Sequence, residues 1–323
     1  MPLIETNTQI SPYWLPNGHL QSIYPALFRK VKGVTYDRER IKTPDEDFLD
    51  LDWSYAKQGK SKRLVILSHG LEGDSRRQYI LGMVRLLNAH GFDCLAWNFR
   101  GCGGEMNKTA RFYHSGATED LELIVQRALE KDYDRIDLIG FSLGGNLTLK
   151  YLGESGANLD PRVTSGVVFS VPMDLRACSM SIIQPENKVY MHRFLKSLKP
   201  KVTAKAIHFP DRINVNDQKL VRTLYDFDDV FTAPLHGFDS ADHYYEQCSS
   251  KFFVKDIAIP TMIINAKNDP IVPYQSLPIN ELKAHKMVTL EATLDGGHCG
   301  FRPARLRNGI YWSEARALEF LSR

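Results

Sequence analysis

The chain has 323 residues, of which 43% are hydrophobic and 24% are charged, a composition typical of a folded globular protein. This length can bury one large core together with an inserted segment. The formal net charge is only +3 and the basic residues are scattered, which argues against a protein built to bind nucleic acid.

Strand-like and helical segments alternate along most of the chain. The part up to about residue 36 is expected to be loop-rich, and the sheet is expected to begin near residues 51–55. The alternation that follows predicts an α/β fold with a mostly parallel central sheet and helices on both faces. Strand patterns occur at residues 64–68, 94–99, 135–139, 163–170, 259–265 and 287–293, and helical patterns at 80–89, 118–129 and after 144.

This alternation stops after residue 171 and resumes at Ile257. We interpret the interruption as a segment inserted between two strands of the core, where it can cover the site. The predicted organisation is a first part of the core at residues 1–171, a cap at residues 172–250 and a second part of the core at residues 251–323.

The predicted cap contains a run of basic residues and many aromatic ones. The basic run is either a helix that rests on an anionic membrane or recruits acidic substrates, or a solvated helix face. We favour the solvated face, because runs of charge usually are solvated. Most of the aromatic side chains are expected to pack the cap, and one or two to contact substrate. The basic residues are Lys188, Arg193, Lys196, Lys199, Lys201 and Lys205, and the aromatic ones are Tyr190, Phe194, Phe209, Phe227, Phe231, Tyr244 and Tyr245.

A serine stands where the predicted strand at residues 135–139 turns into a helix. Gly140, Ser142 and Gly144 form the pattern G-x-S-x-G at this turn. A serine there is held in a strained conformation with its hydroxyl exposed above the sheet, and the glycines allow neighbouring backbone to approach. Ser142 is therefore the predicted nucleophile.

A nucleophilic serine needs a base and a carboxylate that orients the base, in the chain order Ser, Asp, His. Asp269 follows the predicted strand at residues 259–265, in a turn that contains two prolines. His298 follows the last predicted strand, in a loop with glycines on both sides. We predict a triad of Ser142, His298 and Asp269. Asp174 is the alternative acid, and we favour Asp269 because its turn fits the general template.

Acyl transfer also needs N–H donors for the oxyanion. One predicted donor is the N–H of Leu143, at the start of the helix that follows the nucleophile. The second is the N–H of Leu71, in a glycine-containing loop after the predicted strand at residues 64–68. His69 precedes this loop, and its ring is expected to brace it through a hydrogen bond.

Motifs spread over nearly the whole chain match one known family. They are Pro16-Asn-Gly-His-Leu-Gln-Ser-Ile-Tyr-Pro25, His69-Gly-Leu-Glu-Gly73, Gly140-Phe-Ser-Leu-Gly-Gly-Asn146, Phe227-Asp-Asp-Val-Phe-Thr-Ala-Pro-Leu-His-Gly237 with Tyr244-Tyr245, Asn268-Asp-Pro270 and Gly296-Gly-His298. On these motifs the chain resembles the YheT-like family of α/β-hydrolases, relatives of the eukaryotic ABHD lipid hydrolases. The resemblance implies the α/β-hydrolase fold and a serine carboxylic-ester hydrolase. It implies triad roles for Ser142, Asp269 and His298, which the strand order predicts independently.

The five cysteines, odd in number and widely spaced, predict free thiols in a reducing compartment. No C-x-x-C pair or paired histidine spacing occurs, so neither a metal nor another cofactor is expected. Arg100-Gly-Cys-Gly-Gly104 is interpreted as a tight turn, not a phosphate site. Residues 1–10 lack a signal-peptide pattern, and no apolar run approaches the roughly 20 residues that span a bilayer. We therefore expect a cytoplasmic protein with no integral membrane segment.

The sequence thus predicts a serine hydrolase that cleaves a small-molecule carboxylic ester through an acyl-enzyme. A thioesterase or an acyltransferase would use the same three residues, because pocket shape chooses the acyl acceptor. A catalytically idle fold used for binding is a third hypothesis, and the complete set of three catalytic side chains argues against it. The sequence gives no prediction of the oligomeric state.

Overall fold

The computed structural model describes residues 3–6, 10–59 and 61–323 of the chain. The strands in these ranges form one sheet and are β1 Leu3–Thr6, β2 Asp37–Lys42, β3 Phe48–Ser54, β4 Arg63–Ser68, β5 Asp93–Asn98, β6 Arg135–Phe141, β7 Val163–Phe169, β8 Thr261–Ala266 and β9 Val288–Thr293. Their spatial order is β1-β9-β8-β7-β6-β4-β5-β3-β2. Neighbours are parallel except for β2 with β3 and β3 with β5, so the sheet is mostly parallel, as predicted.

The α-helices of the described ranges connect these strands or follow the last one. They are α1 Gly18–Phe28, α2 Gln78–Ala89, α3 Thr118–Leu129, α4 Leu143–Ser155, α5 Leu175–Ile182, α6 Lys188–His208, α7 Leu224–Phe227, α8 Ala233–Leu235, α9 Ala241–Cys248, α10 Ile279–Ala284 and α11 Trp312–Leu321. A π-helical turn, Asp228–Thr232, joins α7 to α8.

The central strands are buried on both faces. In β4, Leu64 and Ile66 pack into one hydrophobic cluster, whereas Val65 and Leu67 pack into another. Because successive side chains of a strand point to opposite faces, the two clusters lie on opposite sides of the sheet. The first includes apolar residues of α3, α4 and α6, and the second includes those of α2 and α11. Helices therefore cover both faces, and the predicted fold class is confirmed.

The N-terminal part contains more regular structure than the sequence predicts. It holds β1 and α1, and β2 forms an edge of the sheet, so the expectation that the sheet begins near residues 51–55 is wrong. The strand β2 shows no apolar alternation because Arg38 and Arg40 form ion pairs with Asp52 and Asp50 on β3. Of residues 1–10, on which the signal-peptide expectation depends, residues 1, 2 and 7–9 lie outside the described ranges.

Between β7 and β8 the chain is helical, and α6 with 21 residues is the longest helix of the described ranges. Buried Lys205 anchors α6 by donating hydrogen bonds to the carbonyl oxygens of Thr109 and Arg111. Lys199 Nζ donates to a carbonyl oxygen at 2.8 Å, and Lys201 Nζ to a carboxylate at 2.7 Å. The favoured interpretation of the basic run as a solvated face is therefore wrong for these three lysines, whereas Lys188, Arg193 and Lys196 are exposed, as it expects. The boundaries of the cap stay a prediction.

Candidate active site

The turn between β6 and α4 carries Ser142. Its backbone has φ 53° and ψ −120°, a conformation strained for a residue with a side chain. Gly140 and Gly144, on either side of the serine, must be glycines because other backbone groups approach them closely. A Cβ atom on Gly144 would lie 2.4 Å from the carbonyl oxygens of Ser68 and His69, and one on Gly140 would lie 2.4 Å from the carbonyl oxygen of Gly144. The turn is therefore packed directly against the end of β4.

The structure brings the three predicted triad side chains together. Ser142 Oγ lies 2.9 Å from His298 Nε2, and His298 Nδ1 lies 2.9 Å from Asp269 Oδ2. The Asp269 carboxylate is fully buried, and its Oδ1 accepts hydrogen bonds from the N–H groups of Ile271 at 2.8 Å and Val272 at 3.0 Å. These bonds fix the orientation of the carboxylate, so Nδ1–H of the imidazole donates to Asp269 and Nε2 faces the serine hydroxyl.

Asp174, the alternative acid, is engaged elsewhere. Its Oδ1 accepts a hydrogen bond from the N–H of Ala177 at 2.9 Å and caps α5. Its Oδ2 lies 2.6 Å from Lys251 Nζ. Asp269, and not Asp174, therefore contacts His298 in this structure.

The two predicted oxyanion donors are free to bind a ligand. Within the described part of the chain, neither the N–H of Leu71 nor that of Leu143 donates a hydrogen bond to another group. Leu143 is the first residue of α4, where the helix dipole favours negative charge. Beside Leu71, a Cβ atom on Gly70 would lie 3.1 Å from the Cβ of Ser142, so glycine leaves space next to the nucleophile.

The loop that carries Leu71 is held by His69. This side chain is fully buried, its Nδ1 lies 2.8 Å from the carbonyl oxygen of Gly70, and its Nε2 accepts a hydrogen bond from the N–H of Phe99 at 3.1 Å. Burial lowers the pKa of His69 to about 3, so the ring is neutral at physiological pH. Its role in the structure is to brace the loop.

A residue without a predicted role, Gln21 on α1, joins the two loops that carry the predicted acid, Asp269, and the predicted base, His298. Its Oε1 accepts hydrogen bonds from Asn268 Nδ2 and from the N–H of Gly296, both at 2.8 Å. Its Nε2 donates to the carbonyl oxygen of Leu15 at 2.8 Å, and the side chain is buried. Because Asn268 precedes the acid and Gly296 lies two residues before the base, one amide connects both loops.

The next residue of α1, Ser22, contacts His298, the predicted base. Its Oγ accepts a hydrogen bond from the backbone N–H of His298 at 2.7 Å and donates one to the carbonyl oxygen of Gly18 at 2.6 Å. His19, from the same N-terminal motif, has its Nδ1 3.3 Å from the hydroxyl of Tyr190 on α6. The signal for these contacts was the N-terminal motif itself, whose polar residues lie in α1.

A cavity of about 360 Å³ lies above Ser142 and His298. Its walls come from the loop after β4, from α1 and from α6. Of the aromatic residues considered for an acyl pocket, Tyr190 and Phe194 line this cavity. Tyr244 is instead packed with its neighbours in a separate hydrophobic cluster. Of this aromatic set, the residues that line the cavity above Ser142 therefore belong to α6.

The other candidate motifs have structural roles. Arg100 is buried and forms ion pairs with Asp45, Asp47 and Asp120, so it anchors a turn. The five cysteines are free thiols. Within the described ranges, no group of three or more His, Cys, Asp or Glu side chains is arranged to hold a metal ion. In the same ranges, no helix is both long and apolar enough to cross a bilayer.

Known proteins share this sequence and this architecture. Residues 63–302 match the family model described as the alpha/beta hydrolase fold. The chain is 36% identical over 311 residues to "Putative esterase YheT" of Escherichia coli K12, a match covering 95% of this chain and 90% of that protein. It is 31% identical over 307 residues to phospholipase ABHD3 of Mus musculus, a match covering 92% of this chain and 74% of that protein. The solved structure of the Pyrococcus furiosus esterase Pf2001 matches with a TM-score of 0.59 at 19% identity, covering 98% of this chain and 99% of that one.

These matches confirm the predicted resemblance. The family model spans β4 to the loop that carries His298, and the E. coli relative covers nearly the whole chain. The similarity to the solved esterase supports the fold, and the predicted enzyme class, a hydrolase of carboxylic esters, agrees with the names of the relatives. The chain belongs to the α/β-hydrolase fold family, together with the YheT protein of E. coli.

Proposed function

We propose that the chain is a serine esterase that cleaves a small-molecule carboxylic ester through an acyl-enzyme on Ser142. The observation that carries the proposal is the pair of 2.9 Å contacts that link Ser142 Oγ through His298 to Asp269. This arrangement supplies an activated nucleophile, a base and a group that orients the base. The relatives named esterase and phospholipase support an ester as the substrate class.

In the first half of the proposed reaction, His298 Nε2 accepts the hydroxyl proton of Ser142 while Oγ attacks the ester carbonyl carbon. Asp269 stabilises the positive charge that develops on the imidazole. The N–H groups of Leu71 and Leu143 donate to the oxyanion, and loss of one such donor typically costs about 10²–10³ in turnover. The tetrahedral intermediate then collapses, and His298 returns the proton to the departing alcohol.

In the second half, water replaces the alcohol. His298 removes a proton from this water, and the resulting nucleophile attacks the acyl carbon of the ester on Ser142. Collapse of the second intermediate releases the acid and restores the serine hydroxyl. We propose that residues 172–250 act as a cap on the core formed by residues 1–171 and 251–323, because Tyr190 and Phe194 of this segment line the cavity.

The test is to label wild type and Ser142→Ala with a fluorophosphonate, map the labelled peptide, and assay p-nitrophenyl esters of increasing acyl length. We expect labelling at Ser142 and ester turnover in wild type, and loss of both in Ser142→Ala without loss of the folded state. Ser155→Ala, at the far end of the same helix, is the matched control and should behave as wild type. Wild-type rates in Ser142→Ala would refute the proposal.

A further inference from the structure

One face of α6 forms a wall of the cavity above Ser142. Tyr190, Arg193, Phe194 and Ser197 all line this cavity, and their spacing of three and four residues places them on one side of the helix. Three of these side chains are uncharged. Arg193 therefore provides the only positive charge that this helix face presents to the cavity, within the described part of the chain.

Arg193 has no counter-ion among the described residues. It makes no hydrogen bond or ion pair with them, and the side chains that act on its charge are Arg77 and Tyr79. Arg193 is exposed at the mouth of the cavity, and partial desolvation together with the nearby Arg77 guanidinium lowers the pKa of Arg193 below its usual value. Two guanidinium groups thus lie close together at one cavity, and the repulsion between them would be relieved by an anion.

The other charged groups of the cavity do not compensate Arg193. Arg29 is paired with the buried Glu314. Glu72 accepts a hydrogen bond from Tyr113 at 2.8 Å, and its carboxylate lies 2.7 Å from Lys201 Nζ. The negative charge of Glu72 is therefore already balanced by a lysine.

Arg77 itself is only partly compensated. Its Nη2 donates to the carbonyl oxygen of Glu72, and its Nε lies 3.9 Å from the carboxylate of Asp74, at the outer limit of an ion pair. The lining of the cavity contains four arginines and two carboxylates, which leaves a surplus of positive charge. Because Arg29 is paired with Glu314, the surplus is carried by Arg76, Arg77 and Arg193.

We propose that Arg193, together with Arg77, binds an anionic group of the substrate, a carboxylate or a phosphate, remote from the ester bond that Ser142 attacks. Guanidinium groups suit this task because their planar donors bind either anion in a bidentate manner. The inference rests on the proposed function, since it assigns a substrate class to the same site: esters that carry a negative charge.

The test compares neutral esters with matched anionic ones. On the acyl side, 4-nitrophenyl valerate is paired with 4-nitrophenyl hydrogen glutarate; on the alcohol side, phenyl butyrate is paired with 4-(butyryloxy)benzoate and with 4-(butyryloxy)phenyl phosphate. We expect wild type to prefer an anionic member, and Arg193→Gln to lower the kcat/KM ratio of anionic to neutral ester by about five- to tenfold. Arg193→Lys should keep part of the preference. The benzoate and phosphate esters distinguish the two anions.

Lys196→Gln is the matched control, because it removes one positive charge from an exposed position of α6 outside the cavity lining. It should leave the ratio unchanged, whereas added salt should lower the ratio in wild type. Equal ratios in wild type and Arg193→Gln for every pair would overturn the inference while leaving the esterase in place. Absence of labelling at Ser142 and of all turnover would overturn the proposed function and the inference with it.

Discussion

Gln21 accepts hydrogen bonds from the two loops that carry Asp269 and His298, so its amide oxygen connects the proposed acid to the proposed base. Catalysis by proximity is sensitive to displacements of about 1 Å, because reacting groups must be held in a near-attack geometry. We therefore expect the buried Gln21 side chain, which fixes the loops of Asp269 and His298 relative to each other, to affect the rate of the proposed reaction even though it touches no reacting atom.

Gln21→Met keeps the length of the side chain and removes its hydrogen bonds. We expect kcat to fall by about 10- to 100-fold with a smaller change in KM, since the loops would lose their common acceptor while the cavity walls stay in place. Steady-state kinetics with a p-nitrophenyl ester measures both constants. Gln21→Glu keeps an acceptor for both loops but loses the donor to the carbonyl oxygen of Leu15, so it should restore only part of kcat.

The matched control for this prediction is Gln184→Met, on an exposed glutamine whose Nε2 bonds only within its own segment. The kcat and KM of this variant should equal those of wild type. If Gln21→Met also has wild-type kcat, the positioning role is excluded.

The proximity of Ser142, His298 and Asp269, the proposed triad, could be predicted from the sequence because the chemistry of such a triad imposes local patterns. Ser142 needs glycines two residues before and after it, and Asp269 and His298 must follow later strands. Gln21 and Arg193 leave no such pattern. The bond from Gln21 to Gly296 joins residues 275 positions apart, and the isolation of Arg193 is visible only once its neighbours are placed.

Among the elements, α1 packs unusually close to the loops of the site. A Cβ atom on Gly18 would lie 1.8 Å from the carbonyl oxygen of Asn268, and one on Gly300 would lie 2.1 Å from the carbonyl oxygen of Gln21. Gly297, which directly precedes His298, has φ 60°. A Cβ atom there would lie 2.6 Å from the Gly18 carbonyl oxygen. The contact is therefore backbone against backbone and leaves no room for a methyl group.

Gly18→Ala should move α1 away from the acid loop. The alanine is a better helix former, but its Cβ atom clashes with backbone, which cannot rotate aside as a side chain would. We expect a cost of about 1–3 kcal/mol in the free energy of unfolding and at least a tenfold slower reaction of Ser142 with a fluorophosphonate. Urea unfolding and labelling kinetics measure the two effects.

Leu20→Ala provides the control on the outward side of α1, where the side chain is 43% exposed. Labelling of that variant should be as fast as in wild type. Equal labelling rates for Gly18→Ala and Leu20→Ala would show that close packing of α1 does not matter for the site.

At this scale, the sequence predicts the elements whose apolar pattern reports burial, such as β4 and α3. It misses β2, because charged pairs across the strands take the place of apolar alternation, and α1, because the helix contains Gly18 and Pro25 and its buried face is partly polar. The residues of β2 and α1 form these elements because of their contacts with distant parts of the folded chain. Local propensity gives no signal for such an element.

Across the whole molecule, two buried histidines must be neutral. His69 Nε2 accepts an N–H from Phe99 at 3.1 Å, and His114 Nδ1 accepts the N–H of Gly116 at 3.2 Å. A protonated ring would lose its acceptor and face an N–H group. Burial lowers the pKa of His69 to about 3 and that of His114 well below its usual value. Asp228 has the opposite effect on the stability of the protein in acid, because burial raises the pKa of this carboxyl to about 6.

These shifts predict that the histidines make the protein less stable in acid. Between about pH 6.5 and the lower pKa of the folded state, the unfolded chain binds a proton at each histidine and the folded chain does not, so the free energy of unfolding falls as pH falls. Each histidine contributes up to about 1.4 kcal/mol per pH unit in this window. His114→Gln removes one such group, and its free energy of unfolding, measured by urea titration from pH 7.5 to 5, should fall less steeply than that of wild type. Exposed His208→Gln is the control and should keep the wild-type slope. A wild-type slope in His114→Gln as well would mean that His114 binds its proton equally in the folded and the unfolded protein.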